Sequence, residues 1–187
     1  CLMSTRLSNA AIAARNSCSR RESRRSTANV DSSTSRPVAV VAAYYNIGFR
    51  NEPRERTGFA HLFEHMMFQG SKHIPGDGHF RTVEGAGGSD ANGTTDFDRT
   101  NYFQTMPADK LETALWLESD RMGYLLDLLD EASFRNQVDV VRNERRQNYD
   151  NRPYGTVGFE VAAALYPEGH PYRYLTIGRH EDLENAD

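Results

Sequence analysis

The sequence predicts an α+β fold, because strand-like and helix-like segments alternate in the first half of the chain and helices follow one another in the second. Residues 38–46 are a β-branched and aromatic run typical of a strand. The pattern of residues 94–106 alternates enough to predict one or two more strands. From Leu111 onward, apolar residues recur at the spacing of amphipathic helices. Separate strand and helix runs of this kind are typical of the α+β class.

The remaining elements are mostly helical. A polar loop over residues 48–56 leads into a helix that Gly70 closes, and residues 77–88 predict a short helix followed by a glycine-rich turn. A long amphipathic helix is marked by six apolar residues: Leu111, Leu115, Met122, Leu125, Leu126 and Leu129. Two further helices are predicted, from residue 132 to about 151 and over residues 155–166.

Residues 1–36 differ in composition from the rest of the chain. They contain seven Arg against Glu22 and Asp31, a net charge of +5, and they are rich in Ser. We predict that this segment is a disordered tail. Its composition resembles a transit peptide and its paired arginines resemble an export signal, but no apolar stretch follows Arg24-Arg25. The compartment stays open, with a periplasmic or secreted bacterial location favoured and a mitochondrial one as the alternative.

Residues 37–187 are predicted to form one domain. The chain is 38% hydrophobic and 26% charged, and no apolar run approaches the roughly 18–20 residues of a membrane span. The chain as a whole carries −4, so residues 37–187 carry −9, and a nucleic-acid partner is not expected of an acidic body. Both cysteines, Cys1 and Cys18, lie in the tail, so no disulfide framework is expected.

The most informative motif is His61-Leu62-Phe63-Glu64-His65. At about 100° per residue, both histidines and Glu64 share one arc of a helix, and the apolar neighbours share the opposite arc. Residues four apart have Cβ atoms about 5–6 Å apart, so the two imidazoles can converge on one metal with the carboxylate beside its open position. Two alternatives are a chance match and a hydrogen-bonded cluster on a solvated helix face. The motif favours a zinc-hydrolase site over both.

Residues 56–71, which contain this motif, resemble the zinc helix of the pitrilysin/insulinase family of metallopeptidases. Residues 140–155 resemble the segment in which that family carries its third zinc ligand, and Glu144 follows His65 by 79 positions, near the family's usual spacing. Shorter matches cover four further stretches: residues 85–88, 90–95, 170–172 and 176–178. The resemblance, from about Pro37 to the last residue, implies a two-layer sandwich of a mostly antiparallel sheet packed against helices. It identifies residues 37–187 as an N-terminal peptidase domain, expected to be incomplete at both ends.

The resemblance implies one Zn²⁺ held by His61, His65 and Glu144, with Glu64 as the proton carrier. Glu144 shares a helix stripe that can face the first helix, and its alternative is a surface carboxylate paired with adjacent arginines. Gln137 stands where many family members have Glu seven residues before the third ligand. It is expected to lie behind the ligands, where it offers an amide in place of a supporting carboxylate.

The expected substrate is a peptide or unfolded polypeptide in extended form. The resemblance implies that it adds a strand to the sheet edge formed by Ala91, Asn92, Gly93, Thr94 and Thr95. A further C-terminal family domain or a partner subunit is expected to complete the chamber, so this chain alone should have little activity. The predicted function is that of a zinc-dependent endopeptidase. The alternatives are a catalytically inactive family member acting as a structural or binding subunit, and a zinc-stabilised interaction domain.

Overall fold

A computed structural model describes the backbone of residues 10–16 and all atoms of residues 37–184. The strands are β1 (Ala10–Asn16), β2 (Val38–Tyr45), β3 (Gly70–Ser71), β4 (Ile74–Pro75), β5 (Ser89–Thr95) and β6 (Thr100–Pro107). The helices are α1 (Phe59–Met66), α2 (Gly78–Gly85), α3 (Leu111–Tyr124), α4 (Glu131–Arg145), α5 (Val157–Leu165) and α6 (His180–Glu184). A π-helical turn, Arg146–Asp150, continues α4. Within the described ranges, no helix has the length and apolar character needed to cross a bilayer.

Four strands form one antiparallel sheet in the order β1-β2-β6-β5. β2 pairs with β6 along its whole length, from Val38 opposite Pro107 to Tyr45 opposite Thr100. β5 pairs with the other side of β6 and has an irregularity near its start. β5 is therefore an edge strand of the sheet that the described residues form. β3 and β4 make a separate two-stranded hairpin.

Helices cover one face of this sheet, which confirms the predicted α+β class and its two layers. Side chains of β2 alternate as a half-buried strand requires: Ala39, Val41 and Ala43 are fully buried, whereas Val38 and Val40 are exposed. α3 packs against β2 and β6, and α1 packs against β5 and β6. The two layers therefore place α1 against the edge strand of the sheet.

Apolar clusters fix α1 on two sides. On the sheet side, Met67, which follows α1 directly, packs with Tyr45 and Tyr102. On the other side, Leu62 of α1 packs with Val141 of α4. Because both sides are packed, the position of α1 relative to the sheet and to α4 is set by the core.

A buried ion pair lies on α3, against Tyr102 of β6. Glu118 and Arg121 of α3 have side chains 0% and 2% exposed, and they form two hydrogen bonds, of which Nε to Oε2 is 3.0 Å. The guanidinium carbon lies 4.3 Å from the ring centre of Tyr102 and 5.2 Å from that of Phe68. Arg121 Nη1 has no hydrogen-bond partner among the described residues. The carboxylate of Glu118 therefore compensates a cation that water does not reach.

Two predicted boundaries are wrong. The long helix ends at Tyr124 instead of continuing to Leu129, and a separate helix, α4, begins after Asp130, which accepts the Ser133 N–H at 2.7 Å. The prediction of a disordered tail is wrong for Ala10–Asn16, where all seven residues pair with β2. Pairing with β2 satisfies the backbone hydrogen-bonding groups of this segment, and composition alone does not reveal that such a partner exists. The rest of the predicted tail lies outside the described residues.

Candidate metal centre

The start of α1 is held by a glycine at its N-cap and by a carboxylate, and its buried residues decide which side its polar side chains face. Gly58, at the N-cap, has φ of +92°, a backbone conformation that favours glycine. The Glu52 carboxylate accepts the N–H of Gly58 at 2.9 Å and the N–H of Ala60 at 2.7 Å, which satisfies two donors of the first turn. Burial raises the pKa of Glu52 to about 7. With Leu62 and Met66 buried in the core, His61 and His65 point to the opposite side.

Three side chains meet at this side of α1: His61, His65 and Glu144. The two Nε2 atoms are 3.2 Å apart, and Glu144 Oε2 lies 3.7 Å from His61 Nε2 and 3.5 Å from His65 Nε2. Ligands at about 2.0–2.1 Å in tetrahedral geometry are about 3.3 Å apart, so these three distances fit one zinc ion. Two imidazoles and a carboxylate are also a donor set that catalytic zinc accepts. The residues present therefore fit the metal.

The protonation states favour metal binding at two of the three positions. Burial and the neighbouring His65 lower the pKa of His61 to about 4, so its imidazole is neutral at pH 7. A hydrogen bond to His65 lowers the pKa of Glu144, which keeps its carboxylate ionised. Burial alone would lower the pKa of His65, but hydrogen bonds to Glu144 and Gln137 raise it. A neutral imidazole and an ionised carboxylate are the forms that bind a metal.

Glu144 reaches the cluster from the last turn of α4. The π-helical turn Arg146–Asp150 begins two residues later, and Asn148 Nδ2 lies 3.5 Å from the second carboxylate oxygen of Glu144. Gln137 is buried two turns earlier on the same helix and contacts His65. The structure thus brings Glu144 and Gln137 to the side of α1 that the helix stripe predicts. Wide turns of this kind are frequent at functional sites.

Glu64 points to β5 and stays outside the three-ligand cluster. Its Oε2 accepts a hydrogen bond of 2.5 Å from Thr95 Oγ1. Gly93 passes so close that a Cβ there would lie 3.0 Å from both Cγ and Oε1 of Glu64. Burial raises the pKa of Glu64, although the Thr95 hydrogen bond opposes that shift. The carboxylate is therefore a stronger base than an exposed one, and β5 fixes its position.

The five residues predicted to bind substrate all lie on β5. Asn92 and Thr94 are exposed, Ala91 and Thr95 are half-buried, and Gly93 is buried against Glu64. Within the described part of the chain, no strand pairs with the outer edge of β5. The sequence placed Thr95 on this edge but missed its hydrogen bond to Glu64. Alternation along a strand does not say which helix residue a side chain meets.

Sequence reasoning also missed Thr57 and Asp182. Thr57, just before α1, donates both its N–H and its hydroxyl to the Asp182 carboxylate, at 3.0 and 2.5 Å. The two residues are 125 positions apart, so no local pattern links them. The only sequence signal nearby was the match at residues 176–178, which identified the loop without its contact.

Comparisons with known proteins identify similar sequences. Residues 28–169 match the family model described as Insulinase (Peptidase family M16). The zinc protease PqqE of Helicobacter pylori is 34% identical over 148 residues, which are 79% of this chain and 32% of that protein. Human insulin-degrading enzyme is 27% identical over 156 residues, 82% of this chain and 14% of that enzyme. The chain thus spans about a third or less of the length of these relatives.

Solved structures show the same fold. The crystal structure of a protease from Helicobacter pylori superposes with a TM-score of 0.74 at 34% identity, over 80% of this chain and 35% of that one. The periplasmic protease PqqL from Escherichia coli superposes with a TM-score of 0.70 at 22% identity, over 80% of this chain and 17% of that one. With most of its length covered by the family model, the chain belongs to the insulinase family of peptidases, family M16.

Proposed function

We propose that this chain carries the zinc site of an endopeptidase that hydrolyses extended peptides. The observation that carries the proposal is the cluster of His61, His65 and Glu144, with contact atoms 3.2–3.7 Å apart beside the buried carboxylate of Glu64. Membership of a family whose relatives are named zinc proteases supports the same chemistry. The metal would be held by these two imidazoles and this carboxylate.

Glu64 is the proposed general base. A zinc ion held there supplies a Lewis acid for the scissile carbonyl and an acidified water molecule. The carboxylate of Glu64 takes a proton from the attacking water and returns it to the leaving amine. Burial raises the pKa of Glu64, which strengthens it as a base, and the Thr95 hydroxyl keeps one of its oxygens in place. A base so placed typically contributes about 10²–10⁴ in rate.

The edge of β5 is the proposed substrate platform. Its outer edge offers backbone donors and acceptors to an added strand, and its inner side contacts Glu64 through Gly93 and Thr95. A peptide paired along Ala91–Thr95 would lie beside the proposed base and the metal ligands. Main-chain pairing of this kind tolerates many side chains, so peptides or unfolded polypeptides are the proposed substrate class.

One alternative is a structural or binding subunit without catalysis. The chain spans about a third of PqqE, so a further family domain or a partner subunit is proposed to complete the chamber. The catalytic proposal and the subunit alternative differ in one respect: only the first requires Glu64.

The cellular location is a separate prediction: periplasmic or secreted, with a mitochondrial location as the alternative.

The test measures zinc binding and peptide hydrolysis separately on the 187-residue chain. We expect one zinc per chain, a large loss of affinity in Glu144→Gln, and unchanged affinity in Glu64→Gln. A quenched fluorescent peptide followed over hours at high protein concentration should be cleaved slowly by the wild type and not at all by Glu64→Gln. Loss of zinc in Glu64→Gln would contradict its role as base. Zinc binding with peptide binding but no cleavage would favour the subunit alternative.

A further inference from the structure

We propose that residues 175–184 position the two helices that carry the metal ligands, and that Asp182 and Thr57 set zinc affinity without touching the metal. This inference rests on the proposed metal centre. His61 and His65 are on α1 and Glu144 is on α4, so the spacing of the three donor atoms depends on how these two helices are held together. Residues 175–184 contact both.

The first attachment is at the start of α1. Asp182 Oδ2 accepts the N–H of Thr57 at 3.0 Å and its hydroxyl at 2.5 Å, and Thr57 Oγ1 accepts the N–H of Arg179 at 3.0 Å. Thr57 is 2% exposed and Asp182 is 5% exposed. Hydrogen bonds to a buried carboxylate are shorter and stronger than those between neutral groups. The N-terminus of α1 is therefore anchored to α6.

Two glycines let the backbones touch at the same point. Gly58 and Gly178 both have positive φ, at +92° and +72°. A Cβ on Gly178 would lie 2.3 Å from the carbonyl oxygen of Thr57 and 2.5 Å from Cα of Gly58. Such distances are far below van der Waals contact, so both positions require glycine. The contact between backbones leaves little room for α1 to shift along residues 175–184.

The second attachment is at the end of α4. Arg145, the residue after Glu144, donates a hydrogen bond to the carbonyl oxygen of Gly178. Asp150 in the π-helical turn lies 3.1 Å from Nε2 of His180. Gly178 is therefore in contact with the start of α1 through its Cα and with the end of α4 through its carbonyl. One residue links the elements that carry all three proposed ligands.

Apolar packing fills the space between these attachments. Ile177 and Leu183, 2% and 0% exposed, pack in one cluster with Leu62 of α1 and Val141 of α4. Leu62 follows His61 directly, and Val141 precedes Glu144 by three residues. A displacement of residues 175–184 is thus transmitted to the ligands by side chains that neighbour them in sequence.

The expected effect follows from the tolerance of metal geometry. Metal sites need their ligands held within about 0.5 Å, and losing a residue that supports a ligand typically weakens metal binding about 10–100-fold. Asp182→Asn keeps the shape of the side chain but removes the charge that holds two donors of Thr57. Thr57→Val removes the hydroxyl at nearly constant volume, and Thr57→Ser keeps it.

The experiment measures zinc affinity of the 187-residue chain by competition with a chromophoric chelator, at a temperature well below the unfolding midpoint of every variant. Asp120→Asn is the matched control, because Asp120 of α3 is 3% exposed and accepts a hydrogen bond from the hydroxyl of Ser71 in β3, and neither element carries a ligand. We expect Asp182→Asn and Thr57→Val to weaken zinc binding at least tenfold. Thr57→Ser and Asp120→Asn should stay within about twofold of the wild type.

Several results would overturn the inference. If Asp182→Asn and Thr57→Val are folded by circular dichroism and bind zinc as the wild type does, residues 175–184 do not set the geometry. If Asp120→Asn weakens zinc binding as much as Asp182→Asn, the effect is general destabilisation. A wild-type chain that binds no zinc would refute the metal centre itself, and this inference with it.

Discussion

Replacing Glu118 with Leu tests the buried ion pair of α3. The substitution leaves the guanidinium of Arg121, 2% exposed, without the carboxylate that pairs with it among the described residues and without two hydrogen bonds. Breaking a buried pair from one side costs about 3–5 kcal/mol in free energy of unfolding. For a domain of this size each kcal/mol lowers the unfolding temperature by about 2–4 °C, so we expect a decrease of roughly 6–20 °C.

The assay is thermal and urea unfolding followed by circular dichroism, with Glu131→Gln as control. Glu131 also pairs with an arginine one turn away, but both side chains are largely exposed, at 75% for Glu131 and 68% for Arg135, so its loss should change stability by less than about 0.5 kcal/mol. Adding Arg121→Met to Glu118→Leu removes the uncompensated charge and should restore most of the loss. The reasoning is refuted if Glu118→Leu costs no more than the control, or if the double variant is less stable than Glu118→Leu.

Three further predictions concern the metal ligands, the substrate edge and acid stability. His61→Ala should weaken zinc binding by more than any variant outside the cluster, because it removes one of three ligands. Competition with a chelator measures the zinc affinity, and an unchanged affinity would show that His61 is not a ligand. Thr94→Pro should impair peptide cleavage more than zinc binding, because proline removes a backbone donor from the substrate edge; equal loss of both would indicate misfolding. Burial alone would raise the pKa of Asp120, but hydrogen bonds from Ser71 and His73 lower it. The ionised carboxylate therefore stabilises the folded chain above the unfolded pKa of about 3.9, and this stabilisation is lost as the pH falls below that value toward the folded pKa. The stability difference between the wild type and Asp120→Asn should therefore shrink below about pH 4 in acid titrations of unfolding, and a constant difference would contradict the assignment.

Local periodicity predicted most elements of the fold, because the burial of one helix arc or one strand face leaves a pattern within a few residues. The boundaries were harder. Leu126 continues the helical spacing of α3, yet it lies beyond the end of that helix and is 63% exposed. Asp130 caps the start of α4 a few residues later, so the apolar spacing runs on across a break between two helices and does not show where the first one ends. β1 was missed because the Ser- and Arg-rich composition of residues 1–36 indicated disorder, and the seven residues of the strand carry no clear alternation.

The proposed site also has a part that the sequence predicted and a part that it did not. His61, Glu64 and His65 could be predicted from the sequence because they share one helical turn, and Glu144 because its stripe and its family resemblance agreed. The contacts that hold these side chains in place could not be predicted from the sequence. Thr95 meets Glu64 across 31 residues and Thr57 meets Asp182 across 125. Such pairs depend on how the sheet and the helices pack against each other, and no local pattern in the sequence shows that packing.

The length of α1 has a consequence for how the fold and the metal depend on each other. A helix of eight residues is too short to persist alone in water, so the unfolded chain cannot present two histidines as a preformed pair. An ion that binds only the folded chain stabilises it by mass action, by about 2.7 kcal/mol at a free concentration one hundred times its dissociation constant. The melting temperature of this chain should then rise with free zinc, so the apoprotein and the holoprotein would differ in thermal stability as well as in chemistry.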